Sequence, residues 1–350
     1  MSRALQNCDS PTSRAMEDSD SPTSRWLFTQ EQLKNSPSRK CGLKAQKEFS
    51  YRQRATFLIQ DMGKKLHVSQ VTINTAIVYM QRFYMLHSFT KCDKNDLSPA
   101  ALFLAAKVEE EPRAVEDVLK VCHACLTPES PRLDTKSQAY MEKADELLTL
   151  ETILLETLGF DIMIEHPHAN LDKIVPSLKE SKAPTSVFYD LADHSFVTTF
   201  CLQYKPSVIA CVCIHLAYKL SKQEVCLKSN DKPWWEGVDE TVTAQLLEEL
   251  TNNFVDVLQT TPYRATTIAK IPDVKELNPG IEDYVTPRNR EELAVLQMIR
   301  RFYTNQKPAS PIPSESYKAT STCDTGKISR KRPHSKKASP VPSKLPKMDN

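Results

Sequence analysis

Leu97–Pro112 reads LSPAALFLAAKVEEEP, and the order of apolar and charged residues along it decides the fold. Every side chain from Ala100 to Ala106 is apolar, so a helix here has no face to offer water and must be enclosed by other helices. Ser98 reads as the N-cap and Pro99 as the first helical position, where a missing N–H costs nothing; Pro112 ends the helix. All the charge lies at the C-terminal end, in Lys107, Glu109, Glu110 and Glu111. The lysine suits the negative end of the helix dipole and the glutamates do not. A buried rod that surfaces in a compact ionic tip is suited to pressing on a partner.

The neighbouring segments supply the enclosure. Phe49–Leu66 places Tyr51, Ala55, Leu58, Ile59, Met62 and Leu66 on one helical stripe. Ser69–Leu86, with Ser69 as N-cap, does the same with Ile73, Ala76, Ile77, Met80, Phe83 and Tyr84. Ala114–Cys125 and Thr135–Leu158 complete a bundle, which Gly159 closes ahead of Phe160. Glu151 interrupts the apolar stripe of the last of these helices. A lysine and a glutamate emerging from adjacent buried helices would pair and hold each other rigid, ready to bind backbone groups of another protein. Lys107, Glu110 and Glu151 are therefore the informative charges.

Upstream, Trp26 and Phe28 stand beside a capping box, Thr29-Gln30-Glu31-Gln32, and read equally as core packing or as partner contacts. The hexapeptide DSPTSR occurs twice, at Asp9–Arg14 and Asp20–Arg25, and residues 1–24 hold almost no large apolar side chains, a pattern of disorder. Downstream the helical pattern recurs. A helix opens at His166-Pro167-His168, the histidines assigned to capping, and runs to Leu178; Pro184–Tyr204 reads as another. Pro206–Leu220 (PSVIACVCIHLAYKL) is again almost wholly apolar. Its Leu216-Ala217-Tyr218-Lys219 echoes Leu104-Ala105-Ala106-Lys107 at an offset of 112 residues, which internal duplication explains. Trp234 and Trp235, a second pair of candidate partner contacts, and Thr241–Thr260 close the second bundle. The expected organisation is a disordered segment 1–24, bundles at 25–160 and 161–262, and a mostly disordered, basic, Pro-rich tail at 263–350.

Composition narrows the function classes. Only six glycines occur in 350 residues, none spaced to cradle phosphate, so P-loop and dinucleotide folds are disfavoured and an all-α fold gains. Ten scattered cysteines and no N-terminal signal read as reduced thiols in the cytosol or nucleus, and no uncharged apolar run reaches membrane length. Residues 322–350 hold eight Lys/Arg against two Asp, more positive charge than the net +2 of the whole chain. The rest is mildly acidic, unlike a general nucleic-acid binder. Cys122-His123-Ala124-Cys125 has the spacing of a metal pair but no second pair, and reads as buried thiols. No serine, cysteine or histidine has a nucleophile context, so neither catalysis nor a cofactor or metal is expected.

RWLFTQEQLKNSPS (25–38), SQVTINTAIVYMQRFYM (69–85), SPAALFLAAKVEEEP (98–112), LETLGF (155–160), ACVCIHLA (210–217) and WWE (234–236) together resemble the cyclin T family over residues 25–262. That resemblance implies two tandem five-helix cyclin boxes and a non-catalytic subunit that activates cyclin-dependent kinase 9 or a close relative for phosphorylation of the RNA polymerase II C-terminal domain. It also implies that Lys107 and Glu151 engage the kinase N-terminal lobe, with Phe103, Glu110 and Phe160 on the same surface. Elongation-complex scaffold proteins are implied as further partners; a small-molecule substrate and a membrane are not. Pro262–Glu276 (PYRATTIAKIPDVKE) departs from the arginine-rich, cysteine-bearing segment of the relative that recruits a lentiviral transactivator, which argues against binding that viral protein. Arg330, Lys331, Arg332, Lys336 and Lys337 resemble a nuclear import signal, consistent with a nuclear location. The other classes weighed are a cyclin-fold transcription factor of the general factor IIB type, which wants a basic body and an N-terminal zinc ribbon, and a kinase-free scaffold.

Overall fold

Helix starts follow the side chains able to occupy their free N–H groups. The computed structural model describes residues 25–178, 185–221 and 233–260, which are helical with no β-strand. Two short helices, α1 (Gln30–Lys34) and α2 (Pro37–Lys40), precede five longer ones: α3 (Ala45–Lys65), α4 (Gln70–Leu86), α5 (Lys94–Val108), α6 (Val115–Leu126) and α7 (Gln138–Leu158). A second set follows: α8 (Pro167–Ile174), α9 (Ser186–Ser195), α10 (Pro206–Leu220) and α11 (Ala244–Thr260). The Thr29 box forms reciprocally, with Thr29 Oγ1 accepting the Gln32 N–H at 3.2 Å and Gln32 Oε1 accepting the Thr29 N–H at 2.7 Å. Ser36, Ser69 and Ser137 cap α2, α4 and α7.

The apolar stretch behaves as its composition demands. α5 is packed by α3, α4, α6 and α7, and Ala100, Ala101, Leu102 and Ala105 have no exposed surface. α10 is the corresponding centre of the second set, surrounded by α8, α9 and α11. No described helix is long and apolar enough to cross a membrane.

The start of α5 corrects the sequence reading. Asp93, not Ser98, is the N-cap, accepting the Asn95 N–H at 2.8 Å, so the helix begins a turn earlier. Ser98 is fully buried and donates back to the Lys94 carbonyl at 2.6 Å. Pro99 therefore lies inside the helix and leaves the Asn95 carbonyl without its helical donor; the Cys122 thiol approaches that oxygen at 4.0 Å. The long helix expected over Pro184–Tyr204 is also broken. α9 stops at Ser195, where Phe196 turns away to join the core of the first set, and only a 3-10 turn at Phe200–Leu202 follows.

α3 and α4 approach closely at Gly63. A Cβ there would lie 2.4 Å from Cγ1 and 2.7 Å from Cδ1 of Ile73. Gly63→Ala should destabilise the chain by about 1–3 kcal/mol, the usual range for overpacking. Urea unfolding measures this, and an unchanged midpoint would mean that Ile73 has room to move.

Both the second set and the linker that leads to it are stitched to α4. Asn74 Nδ2 donates to Asp193 at 2.9 Å, Tyr79 Oη to the Ile162 carbonyl at 2.5 Å, and Arg82 Nη1 to the Asp161 carbonyl at 3.4 Å. Tyr79 and Arg82, three residues apart, lie on one side of the helix. Ahead of α1, the Phe28 N–H donates to the Leu202 carbonyl at 2.7 Å. The segments 1–24 and 261–350, with the import cluster Arg330, Lys331, Arg332, Lys336 and Lys337, lie outside the described residues.

Candidate functional site

Lys107 is the last charged residue of α5, and α7 crosses beside it. Its Nζ donates to both oxygens of Glu151, at 2.8 and 3.0 Å. The ammonium also sits 4.1 Å from the centroid of the Phe103 ring, one turn back on α5. Phe103 is itself buried at 5% exposure, so it reaches the surface only as the platform beneath Lys107. The lysine side chain is 44% exposed and the glutamate 13%, so the ion pair presents its cation. Three contacts on one ammonium fix a side chain that would otherwise sample many rotamers.

The ends of α5 and α7 share a hydrogen-bond pattern. The Glu111 N–H donates to the Ala106 carbonyl at 2.8 Å and the Glu110 N–H to Lys107 at 3.4 Å; likewise Phe160 N–H to Leu155 at 3.2 Å and Gly159 N–H to Glu156 at 3.0 Å. This closure requires a left-handed residue. α7 supplies Gly159 (φ +61°), whereas α5 uses Glu110 (φ +58°). A side chain there costs about 1 kcal/mol, a strain that marks functional positions more often than others. Glu110→Gly should leave unfolding within about 1 kcal/mol of the parent, relief of strain being offset by glycine's greater freedom when unfolded. A larger loss would mean that the Glu110 side chain holds the fold.

The three glutamates separate accordingly. Glu109 accepts the Thr75 hydroxyl at 2.7 Å, and Glu111 accepts the Ser69 N–H at 2.7 Å and the Thr72 hydroxyl at 2.9 Å. Hydrogen bonding, first from the Ser69 N–H, holds the Glu111 carboxyl below its ordinary pKa. The support it gives is full at neutral pH and fades as the pH falls through that depressed value. Glu110 alone of the three is exposed. Arg113 clamps the same turn, Nε donating to the Leu66 carbonyl at 3.0 Å, Nη2 to His67 at 2.9 Å and Nη1 to Glu111 at 3.0 Å.

Phe160, also left-handed at φ +61°, is 67% exposed, Met163 79% and Leu148, one turn before Glu151, 43%. Trp26 is different. It is buried at 2%, its indole N–H donating to Asp161 at 2.8 Å with the Arg82 guanidinium 4.8 Å from its ring, so it serves as internal packing. Trp234 is buried too, and only Phe28 and Trp235 keep partial exposure. His166 makes no cap to α8 and bonds instead to Thr75. Burial holds the Cys122 thiol up near a pKa of about 12 and raises that of Cys125, so both stay protonated. Among the described residues no three His, Cys, Asp or Glu side chains are grouped to hold a metal. Glu109, Glu111, Arg113 and Thr75 carried no sequence signal beyond the run of three glutamates.

A similar lysine–glutamate bridge occurs in the second set. Lys219, at the end of α10, donates to Glu248 of α11 at 2.5 Å, and His215 lies 3.4 Å from the same carboxylate.

Residues 24–163 match the cyclin N-terminal domain and residues 166–257 the Cyclin-T2-like C-terminal domain. The chain is 58% identical to Cyclin-T2 of Mus musculus over 244 residues, covering 69% of this chain and 34% of that protein. Against Cyclin-T1 of Homo sapiens it is 53% identical over 244 residues, again 69% and 34%. It thus spans about a third of the length of the curated relatives it matches. A chain of the yeast RNA Pol II CTD kinase CTDK-1 complex shares the fold at a TM-score of 0.56 and 14% identity, over 82% of this chain and 85% of that one. With both domains matched in order and more than half of the aligned residues identical to two cyclin T proteins, this chain belongs to the cyclin T family.

Proposed function

We propose that the chain is the regulatory, non-catalytic subunit of a transcriptional cyclin-dependent kinase of the kinase 9 type, promoting phosphorylation of the RNA polymerase II C-terminal domain and hence elongation. The observation that carries this reading is the Lys107–Glu151 pair, two hydrogen bonds on one ammonium at the tip of a buried helix. Glu110 stands beside it in a strained backbone conformation. A preformed surface of this kind binds without first being ordered, and so can spend its interaction energy on holding a mobile helix of the kinase inward. That position completes the kinase's own lysine–glutamate pair, which aligns the ATP phosphates. The exposed Phe160 and Leu148 extend the contact with apolar area, Phe103 supports Lys107 from below, and Phe28 and Trp235 remain available to scaffold proteins. The basic cluster at Arg330–Lys337 supports a nuclear location.

The test is to isolate the tagged full chain from cells and assay the isolate on a polymerase-tail peptide. A co-isolated kinase that phosphorylates the peptide is the expected result; an isolate containing no kinase overturns the reading. Within the same assay, Glu110→Gly should weaken kinase association about tenfold while the fold stays at parental stability.

A further inference from the structure

The glutamates after Lys107 are braced from different places. Glu111 and Arg113 find their partners wholly within the first repeat, on Ser69, Thr72, Leu66 and His67. Glu109 does not. The Thr75 hydroxyl that donates to it also lies 2.8 Å from Nε2 of His166, which opens α8 of the second repeat, 91 residues further on.

A hydroxyl has one proton to give. Thr75 gives it to the carboxylate, the stronger acceptor, so the imidazole must be the donor through its Nε2–H. Nδ1 then carries a lone pair, and that atom is buried with no hydrogen-bond partner. Burial pushes the His166 pKa down to about 4, which keeps the ring neutral near pH 7 as this arrangement needs. A bare buried acceptor is unfavourable, and His166 makes no cap to α8 that would offset it. In fold terms an apolar ring would do better here, and what the imidazole adds is the donor to Thr75.

The geometry points to His166 as a positioning residue for the tip: through Thr75 and Glu109 it locks the turn that presents Glu110, so the second repeat sets the shape of a surface carried by the first. Its consequence for kinase activation rests on the docking reading above; its geometry does not. Tyr79 and Arg82, on the same side of α4, tie the linker at Ile162 and Asp161 and leave the seam little freedom to slide.

Hydrogen exchange on the full chain, without kinase, tests the relay. In His166→Phe, and separately in Thr75→Val, the Glu110 and Glu111 amides should exchange about tenfold faster than in the parent, with no further gain in the double variant. Thermal unfolding should stay within a few degrees, and His166→Gln, whose side-chain amide can still donate, should recover part of the protection. Unchanged exchange in His166→Phe overturns the proposal, as do additive increments in the double variant or faster exchange spread evenly over α5. Kinase pull-down then separates the two claims. Faster exchange with weaker association supports both, and faster exchange with parental association upholds the positioning role while overturning the docking one.

Discussion

Glu151→Lys is expected to abolish kinase association, by a hundredfold or more, while the chain remains folded. The substitution places a second cation where the Lys107 ammonium now finds its two acceptors. Like charges about 4 Å apart repel by about 1 kcal/mol in water and about 4 kcal/mol at an intermediate effective dielectric. With 44% of its side chain exposed, Lys107 can swing into solvent and relieve most of that repulsion. The fold then loses little, as for surface ion pairs generally, but the fixed position of the cation is gone. A hundredfold loss of affinity corresponds to about 2.7 kcal/mol, within reach of two misplaced side chains at the centre of an interface. Titration with purified kinase and a thermal melt of the free variant give the two numbers. The charge-swapped double variant, Lys107→Glu with Glu151→Lys, should melt like the parent and still fail to bind. If Glu151→Lys unfolds the chain, the residue is structural and the site assignment is wrong.

Arg52→Met should cost about 3–5 kcal/mol, the largest stability loss expected of a single substitution among the charged residues. The Arg52 side chain is 3% exposed and that of its partner Glu48 8%. Arg52 donates to Glu48 at 3.1 Å, to Gln81 through both carbonyl and side chain at 3.1 and 2.8 Å, and to the Tyr84 carbonyl at 3.1 Å. Glu48 is further held by the Ser36 hydroxyl at 2.9 Å, which ties the short helix α2 to the bundle. Burial lowers the Arg52 pKa and the neighbouring Glu48 opposes that shift. Remove the arginine, and a carboxylate stays buried without its counter-charge. Removing both partners, Arg52→Met with Glu48→Leu, should therefore be less harmful than Arg52→Met alone, an inversion that no simple loss of packing produces. Urea denaturation of the two variants decides it, and a milder effect for the single substitution would refute the account.

Much of this architecture was legible because its cause is local. A run with no polar residue can only be a core helix, so α5 and α10 were readable from composition, and so was the closeness of Lys107 to whichever carboxylate interrupts the stripe of α7. Ser69 could be recognised as a cap because the residues after it are regularly amphipathic. Pro99 misled because a proline near a serine resembles a helix start. The helix could begin earlier only because Asp93 is the better cap and Cys122, from another helix, stands close to the carbonyl left bare. Phe196 broke a predicted helix for a comparable reason: the core it fills belongs to the other repeat. The division of labour among Glu109, Glu110 and Glu111 was unreadable, since each is defined by a partner at least 34 residues away or by a backbone angle.

The recurrence of the lysine–glutamate bridge at Lys219 and Glu248 bears on how such a chain acquires an address. Two copies of one scaffold produce two such bridges without selection for either, so the bridge alone cannot tell an incoming protein which half to grip. One difference lies four places before each lysine, where Phe103 sits under the Lys107 ammonium in one copy and His215 faces Glu248 in the other. An apolar ring behind one bridge and an imidazole beside the other make the two halves chemically distinct to an incoming protein, although the bridges themselves match.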